Sequence, residues 1–365
     1  MATTKVQSEL IASTVPLGRR NIIINGAMQV AQRSASEPGL GAAAGYFTLD
    51  RWRMTINAAS AGRYTMAQVA DGPAGFANCL KLTTTTDDTS IAASEYLVLQ
   101  QRFEGQDLQQ LQKGTATAKQ VTVSFYVKGN ANATYTCEFN DIDNTRQIAQ
   151  SFAVTTSWNR IELTFAADTT DPFDDDNARS LDLNFWLHAG STYSGGTFSS
   201  NAWKDQVHNT RVSDSQTSIF DSTARTFFIT GVQMELGDTA TAFEYRRFAD
   251  ELASCQRYFQ TWGRQVEIAV TVGNGAVQNA TTSYILINNV VDMRTAPTVS
   301  FTGTVYVYDG FAGGTIASIV TGYGTGHGFW IACTTNSVLT QGAGAYIYTS
   351  VINGADDYID ASAEL

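Results

Sequence analysis

Phe227 to Trp262 reads FFITGVQMELGDTATAFEYRRFADELASCQRYFQTW, and two periodicities meet in it. Val232, Met234 and Leu236 alternate with Gln233 and Glu235, which is strand spacing. Phe228 and Thr230 continue that phase backwards, while Phe227 and Ile229 take the other. Gly231 sits at the change, so either a bulge there or a strand buried on both faces fits. Beyond Gly237 and Asp238 the period lengthens. Phe248, Leu252, Cys255 and Phe259 fall at steps of four, three and four, which predicts one helix from Arg246 to Trp262, with Gly263 as its stop. A β-rich module therefore closes near Glu235, and a helix leads into a second region.

Upstream, short alternating runs recur between polar turns. The clearest are Val121, Val123, Phe125 and Val127, then Tyr135, Cys137 and Phe139, then Ile161, Leu163 and Phe165, then Leu181, Leu183, Phe185 and Leu187. Each strand has one apolar face, as two stacked sheets require. The series predicts a single large antiparallel jelly-roll sandwich over 21–245. Gly105 to Gly114 allows one short helix. The Asp50 and Arg51 pair predicts a salt bridge at a sheet edge. Downstream of the helix, assigned 246–263 as a linker, the pattern is β again. Val266, Ile268 and Val270 alternate, and Tyr284 to Val291 is a continuous apolar run. Tyr308 runs into a turn at Asp309-Gly310, and Gly322 to Gly328 is a glycine-dense loop. These features predict a smaller sandwich over 264–365. The fold class is all-β. Residues 1–20 are expected to be an attachment arm.

The segments GVQMELG (from Gly231), ATAFEYR (from Ala240) and ELASCQRYF (from Glu251) resemble the stretch that closes the sandwich module of bacteriophage tail fibre and receptor-binding proteins, a module like those that bind carbohydrate. NIIINGAMQVAQR from Asn21, DRW at Asp50, DMRTAPTV from Asp292 and the terminal ASAEL resemble the same family in the same order. Together they run from Asn21 to Leu365. Ala242 stands where relatives often carry proline. The resemblance implies a virion protein made in the host cytoplasm. It also implies a homotrimeric fibre that touches other tail or baseplate proteins and a host-surface glycan. The helix, through Phe248, Leu252, Cys255 and Phe259, is the candidate trimer contact. A head fibre or capsid decoration protein, and a glycan-depolymerising tailspike, are the alternatives.

Composition suits a globular protein of short strands and frequent turns. The 365 residues are 43% hydrophobic and only 16% charged, with thirty glycines and a net charge of −11. That charge argues against nucleic acid or an anionic membrane as partner. No membrane-length apolar run or signal peptide is visible. Cys79, Cys137, Cys255 and Cys333 lack metal-ligand spacing, and Cys137 and Cys255 read as buried thiols. No nucleophile motif, phosphate loop or dinucleotide fingerprint is present, so no cofactor is expected. His188, His208 and His327 are dispersed. Asp171, Asp174, Asp175 and Asp176 crowd one loop, where a calcium site is weighed against a solvated turn, without the glycine and distal glutamate of a calcium loop. Aromatic rings cover the apolar faces of sugars. Tyr193, Phe198 and Trp203, within the long segment Ala189 to Ser218, and Tyr323, His327 and Trp330 are the glycan-binding candidates.

Overall fold

The computed structural model describes residues 19–57, 60–264, 269–349 and 357–365. The expected N-terminal arm and the Val266 and Ile268 alternation lie outside these. The chain forms two compact units that divide between Arg247 and Phe248.

In the first unit the strands are β1 (Ser36–Leu40), β2 (Gly45–Tyr46), β3 (Arg53–Ile56), β4 (Arg63–Val69), β5 (Cys79–Thr86), β6 (Tyr96–Glu104), β7 (Val121–Gly129), β8 (Ala133–Asp141), β9 (Arg146–Val154), β10 (Asn159–Phe165), β11 (Arg179–Ala189), β12 (Lys204–Asp205) and β13 (Thr226–Leu236). They form two antiparallel sheets, ordered β1-β4-β5-β13-β7-β10 and β12-β9-β8-β11-β6-β3-β2. The chain passes repeatedly from one sheet to the other, the path of a jelly roll. Between the sheets one core is shared by Phe125, Val127, Phe227 and Ile229 on one side and Leu99, Tyr135, Phe152 and Phe185 on the other. Phe125 meets Phe152 and Phe185 edge-on at 5.1 and 5.0 Å.

The bulge at Gly231 is real. Its φ is +61°, and the pairing of β13 with β7 shifts between Thr230 and Gln233. The shift explains the two phases in the sequence, because Phe227 and Ile229 before it and Val232 and Met234 after it all enter one core. A side chain at Gly231 would stand 2.7 Å from the Phe76 ring.

Although last in sequence, β13 lies in the middle of its sheet, between β5 and β7. Polar side chains hold it there. Asn21 Nδ2 donates to Val232 O (3.2 Å), and Asn21 Oδ1 accepts from Ile23 N and Met234 N (both 3.0 Å). Gln233 Nε2 donates to Glu235 Oε1 (2.7 Å), which also takes Thr241 N (2.9 Å). Glu244 N donates to Gln233 Oε1, and Asn21 N to Glu244 Oε2 (both 2.8 Å). Arg246 reaches the carbonyls of Asn21 and Ile23. The Asn25-Gly26 turn adds a second tie. Asn25 Nδ2 donates to Val30 O and Asp50 O, and Trp52 Nε1 donates to Asn25 O. The Asp50 carboxylate takes Arg33 (2.9 Å) and Gln32 N, and Arg51 reaches Arg102 O.

The second unit opens with a helix shorter than expected. After α1 (Ser191–Ser194) in the first unit, α2 covers Phe248–Gln256 only. Phe259 is not on it. Phe259–Trp262 is strand β14, paired with the C-terminal strand, so the predicted four-residue stripe does not exist as one helix face. The remaining strands are β15 (Val270–Asn279), β16 (Thr282–Asn288), β17 (Thr298–Thr302), β18 (Val305–Tyr308), β19 (Gly313–Gly324), β20 (Gly328–Thr335), β21 (Gly344–Thr349) and β22 (Tyr358–Ser362). Where two open sheets were expected, six strands close into a barrel in the order β15-β16-β20-β19-β18-β21, beside a small sheet β14-β22-β17. Closure leaves none of the six with an open edge. Arg294 ties this unit together. Its amide donates to Arg257 O (2.8 Å), and its guanidinium to Ala363 O (2.8 Å) and Glu364 O (3.2 Å).

All four cysteines are free and buried. Burial lifts the Cys79 thiol to about 11 and the Cys333 thiol to about 12.

Asn21→Ala would leave Val232 O, Ile23 N and Met234 N without their partner in a buried place. Each orphan costs about 1–3 kcal/mol, so we expect a loss of about 3 kcal/mol in denaturant unfolding. In the barrel, Asp309 accepts from the amides of Ala312 (2.5 Å), Thr340 (2.6 Å) and Phe311 (2.8 Å), which hold its pKa at about 2 against an ordinary 3.8. The folded value is the lower one, so this contribution is complete above about 3.8 and disappears as pH falls through about 2. Melting curves across that window should show a component that Asp309→Asn removes, the variant being less stable than the parent at neutral pH.

Candidate functional site

The segment Ala189 to Ser218 reads from sequence as a long loop, and long loops in compact domains are often functional. The structure makes it a strap bonded to the outer face of the β11 sheet. Arg211 forks onto Glu138 (two contacts of 2.7 Å), Trp186 Nε1 donates to the same carboxylate (2.8 Å), and Gln216 bonds Trp186 O (2.6 Å) and Thr136 (3.0 Å). Glu138, Asp182, Asn184 and Trp186, which alternate with the core positions, are all buried in consequence. Tyr193 packs beneath the strap with Tyr96 and Trp186, ring centres 5.2 Å from each, and burial raises its hydroxyl pKa. Trp203 is consumed elsewhere. Its Nε1 donates to Ala166 O (2.8 Å), and its ring helps close a cavity of about 20 Å³ at one end of the sandwich. Phe198 is half-buried. Tyr193 and Trp203 each serve packing, and the fold does not gather the three into one surface.

The acidic loop has a cation of its own. Lys113 Nζ lies 2.6 Å from Asp171 O, 2.8 Å from Thr170 O, 2.8 Å from Asp141 Oδ2 and 3.3 Å from Asp168 Oδ2. Arg146 adds a second positive charge on Asp168 (2.9 Å). Asp174, Asp175 and Asp176 are exposed, and Asp176 caps its own turn at Ala178 N (2.8 Å). Among the described residues no three His, Cys, Asp or Glu side chains gather in a way that could hold a metal.

One histidine does meet potential chemistry. His188 Nδ1 lies 2.7 Å from Ser218 Oγ, and Nε2 is 3.6 Å from Glu95 Oε2. Sequence spacing could not show this, because the three come from distant segments. The group is sealed: His188 is fully buried, Ser218 and Glu95 nearly so, and the Phe220 ring packs on the imidazole at 5.2 Å. Burial lowers the His188 pKa against the pull of Glu95 and Asp88. A neutral imidazole that accepts from Ser218 satisfies the geometry, and no substrate carbonyl has a path to the serine hydroxyl as the group stands.

The barrel carries aromatic and aliphatic side chains on its outer face. Val277, Ile285, Ile287, Ile331 and Cys333 fill its interior, and alternation turns the residues between them outward. Trp330, on β20, meets Tyr284, on β16, edge-on at 4.9 Å. Leu286, directly opposite Trp330 in the ladder, is half exposed, and Val320 on β19 is more so. Gly322 allows the indole to lie flat, since a Cβ there would stand 2.2 Å from the ring. Of the candidates, Trp330 is therefore on an open wall. His327 is 80% exposed and pairs with Asp292 at 2.6 Å, and Tyr323 falls in β19. Tyr284 and Leu286 were missed from sequence. Their signal was there, since they alternate with Ile285 and Ile287, but a continuous apolar run reads as buried on both faces.

No family model matches the chain, and no curated protein matches it. Among solved structures, a family 11 carbohydrate-binding module of a Clostridium thermocellum cellulosomal cellulase is 13% identical, covering 58% of this chain and 99% of that one, with a TM-score of 0.27. A structure described as a CBM4 module is 15% identical over 58% of this chain and 97% of that one, TM-score 0.30. A module in complex with β-1,4-galactotriose is 10% identical over 60% and 99%, TM-score 0.31. Likenesses this slight carry neither a fold nor a function, and the sandwich rests on its own strand pairing.

Lys113→Met would leave the buried Asp141 carboxylate without its cation and Asp168 with Arg146 alone. Breaking a buried pair in this way costs about 3–5 kcal/mol, so we expect a fall of at least about 3 kcal/mol in unfolding free energy. Calcium or chelator added to the parent protein should leave its melting temperature unchanged.

Proposed function

We propose that this chain is a non-enzymatic virion protein, a bacteriophage tail fibre, which meets a host-surface glycan with the barrel of its second unit. The observation that carries this reading is the chemistry of the barrel wall. Between Val270 and Thr349 the only Asp, Glu, Lys or Arg residues are Asp292, Arg294 and Asp309. Asp309 is spent on a turn and Arg294 on the C-terminal strand. Asp292 is exposed and paired with His327, and the rest of the outward surface is left to Trp330, Tyr284, Leu286 and Val320, set among Thr, Ser, Asn and Gly. A pyranose has the complementary character: apolar C–H faces that stack on rings, and hydroxyls that hydrogen-bond without charge.

The placement in a virion is supported by the sequence resemblance, whose motifs are the residues that clasp each unit shut. A homotrimer belongs to the same proposal. The helix stripe no longer supports it, because Phe259 lies in a sheet and Cys255 is buried within its own unit. Phe248, 56% exposed, remains open to a neighbouring copy.

Trp330→Ala should weaken adsorption to host cells about tenfold, equivalent to about 1.4 kcal/mol, with an unchanged melting temperature. Unchanged adsorption would remove the Trp330 wall from the proposal. Gold label on the head alone would move the protein from fibre to capsid, and a monomeric mass at micromolar concentration would remove the trimer.

A further inference from the structure

On the opposite side of the barrel, four tyrosines line two neighbouring strands. Tyr306 pairs with Tyr348 and Tyr308 with Tyr346 across the β18–β21 ladder. The first pair is stacked, with ring centres 5.2 Å apart and planes 14° from parallel. The second pair meets edge-on at 5.6 Å, and Tyr346 lies 5.7 Å from Tyr348. Counting round the barrel, β15 separates this pair of strands from β16 and β20 on one side, and β19 separates them on the other. The ledge and the Trp330 wall are therefore distinct surfaces.

Beside the ledge runs an open groove of about 830 Å³, lined by Thr271, Asn274, Gly275, Gly344, Ala345 and Tyr346. Its floor is where β15 and β21 carry glycine. Glycine inside a strand weakens it by roughly 0.5–1 kcal/mol and marks a close approach to the backbone. None of the lining residues carries a charge, so the polar groups offered are the Thr271 hydroxyl, the Asn274 amide and the Tyr346 hydroxyl. Burial and the neighbouring tyrosines raise the Tyr348 pKa, which keeps that hydroxyl protonated and neutral at physiological pH.

We propose that the Tyr306–Tyr308–Tyr346–Tyr348 ledge and the groove over Asn274, Gly275 and Gly344 form a second glycan site, specific for neutral oligosaccharide. The tyrosine rings take the C–H faces of successive sugars. Asn274 and Thr271 take hydroxyls, and the glycine floor admits the chain to the sheet backbone. An acidic polymer is refused, because its carboxylates would lose water against a wall with no cation to receive them. This site stands on residues other than those at Trp330.

The test uses the full chain on an array of neutral and acidic bacterial polysaccharides, with Trp330→Ala as the background. In that background, neutral polysaccharides should still bind. Tyr346→Ala and Asn274→Ala should each lower that residual binding about tenfold, and Tyr346→Phe, which keeps the ring, should lower it less. Melting temperature and circular dichroism check that the variants fold. Loss of all binding in Trp330→Ala, residual binding indifferent to Tyr346 and Asn274, or preference for acidic polymers would each overturn the site. A change of molecular mass in solution on Tyr346→Ala, with sugar binding intact, would overturn it too, by making the ledge a contact between copies. If Trp330→Ala binds hosts normally while Tyr346→Ala does not, the wall fails and the ledge stands.

Discussion

The first unit depends on seating one late strand in the middle of a sheet. β13 closes a gap between β5 and β7, strands that come far earlier in the chain. Until it arrives, those two strands expose unpaired backbone groups and half of a core has no cover. Hydrophobic burial drives the insertion but does not choose the register, since a slip by one residue would turn Gln233 and Glu235 inward. Hydrogen bonds do choose. Asn21 fits only when Val232 O and Met234 N stand at its amide, and Gln233 and Glu235 find Glu244 and Thr241 only at the same setting. The Gly231 bulge then lets residues of both phases reach one core.

The residues that carry the family resemblance have a shared structural role. Asn21 meets the GVQMELG and ATAFEYR segments, Asn25 and Trp52 bond each other, and Arg257, Arg294 and Ala363 join in a second clasp. Such positions are constrained by buried hydrogen bonds, which tolerate few substitutions. The surfaces proposed to touch a ligand lie elsewhere, on strands whose outward residues answer to no such constraint. A resemblance built on these motifs therefore says nothing of a target, and the proposed contact surfaces, at Trp330, Tyr284 and the tyrosine ledge, lie outside them.

What could be read from sequence followed from local period. The sandwich strands from Val121 to Leu187 and the turns at Asn25-Gly26 and Asp309-Gly310 each announce themselves within a few residues. What could not be read depends on distant partners. Phe259 has helical spacing to Cys255 and strand spacing to Thr261, and its pairing with Ser362 decides between them. Barrel closure through β15 and β21 is of the same kind. The six aromatic candidates were chosen for sitting in glycine-rich sequence. That criterion cannot tell Trp203, closing a cavity, from Trp330, lying on a wall. The tyrosines of YVY and YIY lie in strands, and in a closed barrel alternation sends them to the surface.

A wall with so few charges has a consequence for where the proposed attachment could work. Attraction between charged surfaces rises in fresh water and fades in brine, because dissolved ions screen it within about 10 Å at 0.1 M. Contacts made by tyrosine faces, amides and hydroxyls have no such dependence. Attachment through this barrel would forgo long-range steering and its faster encounters. In exchange it would hold equally in a pond, an estuary or a gut.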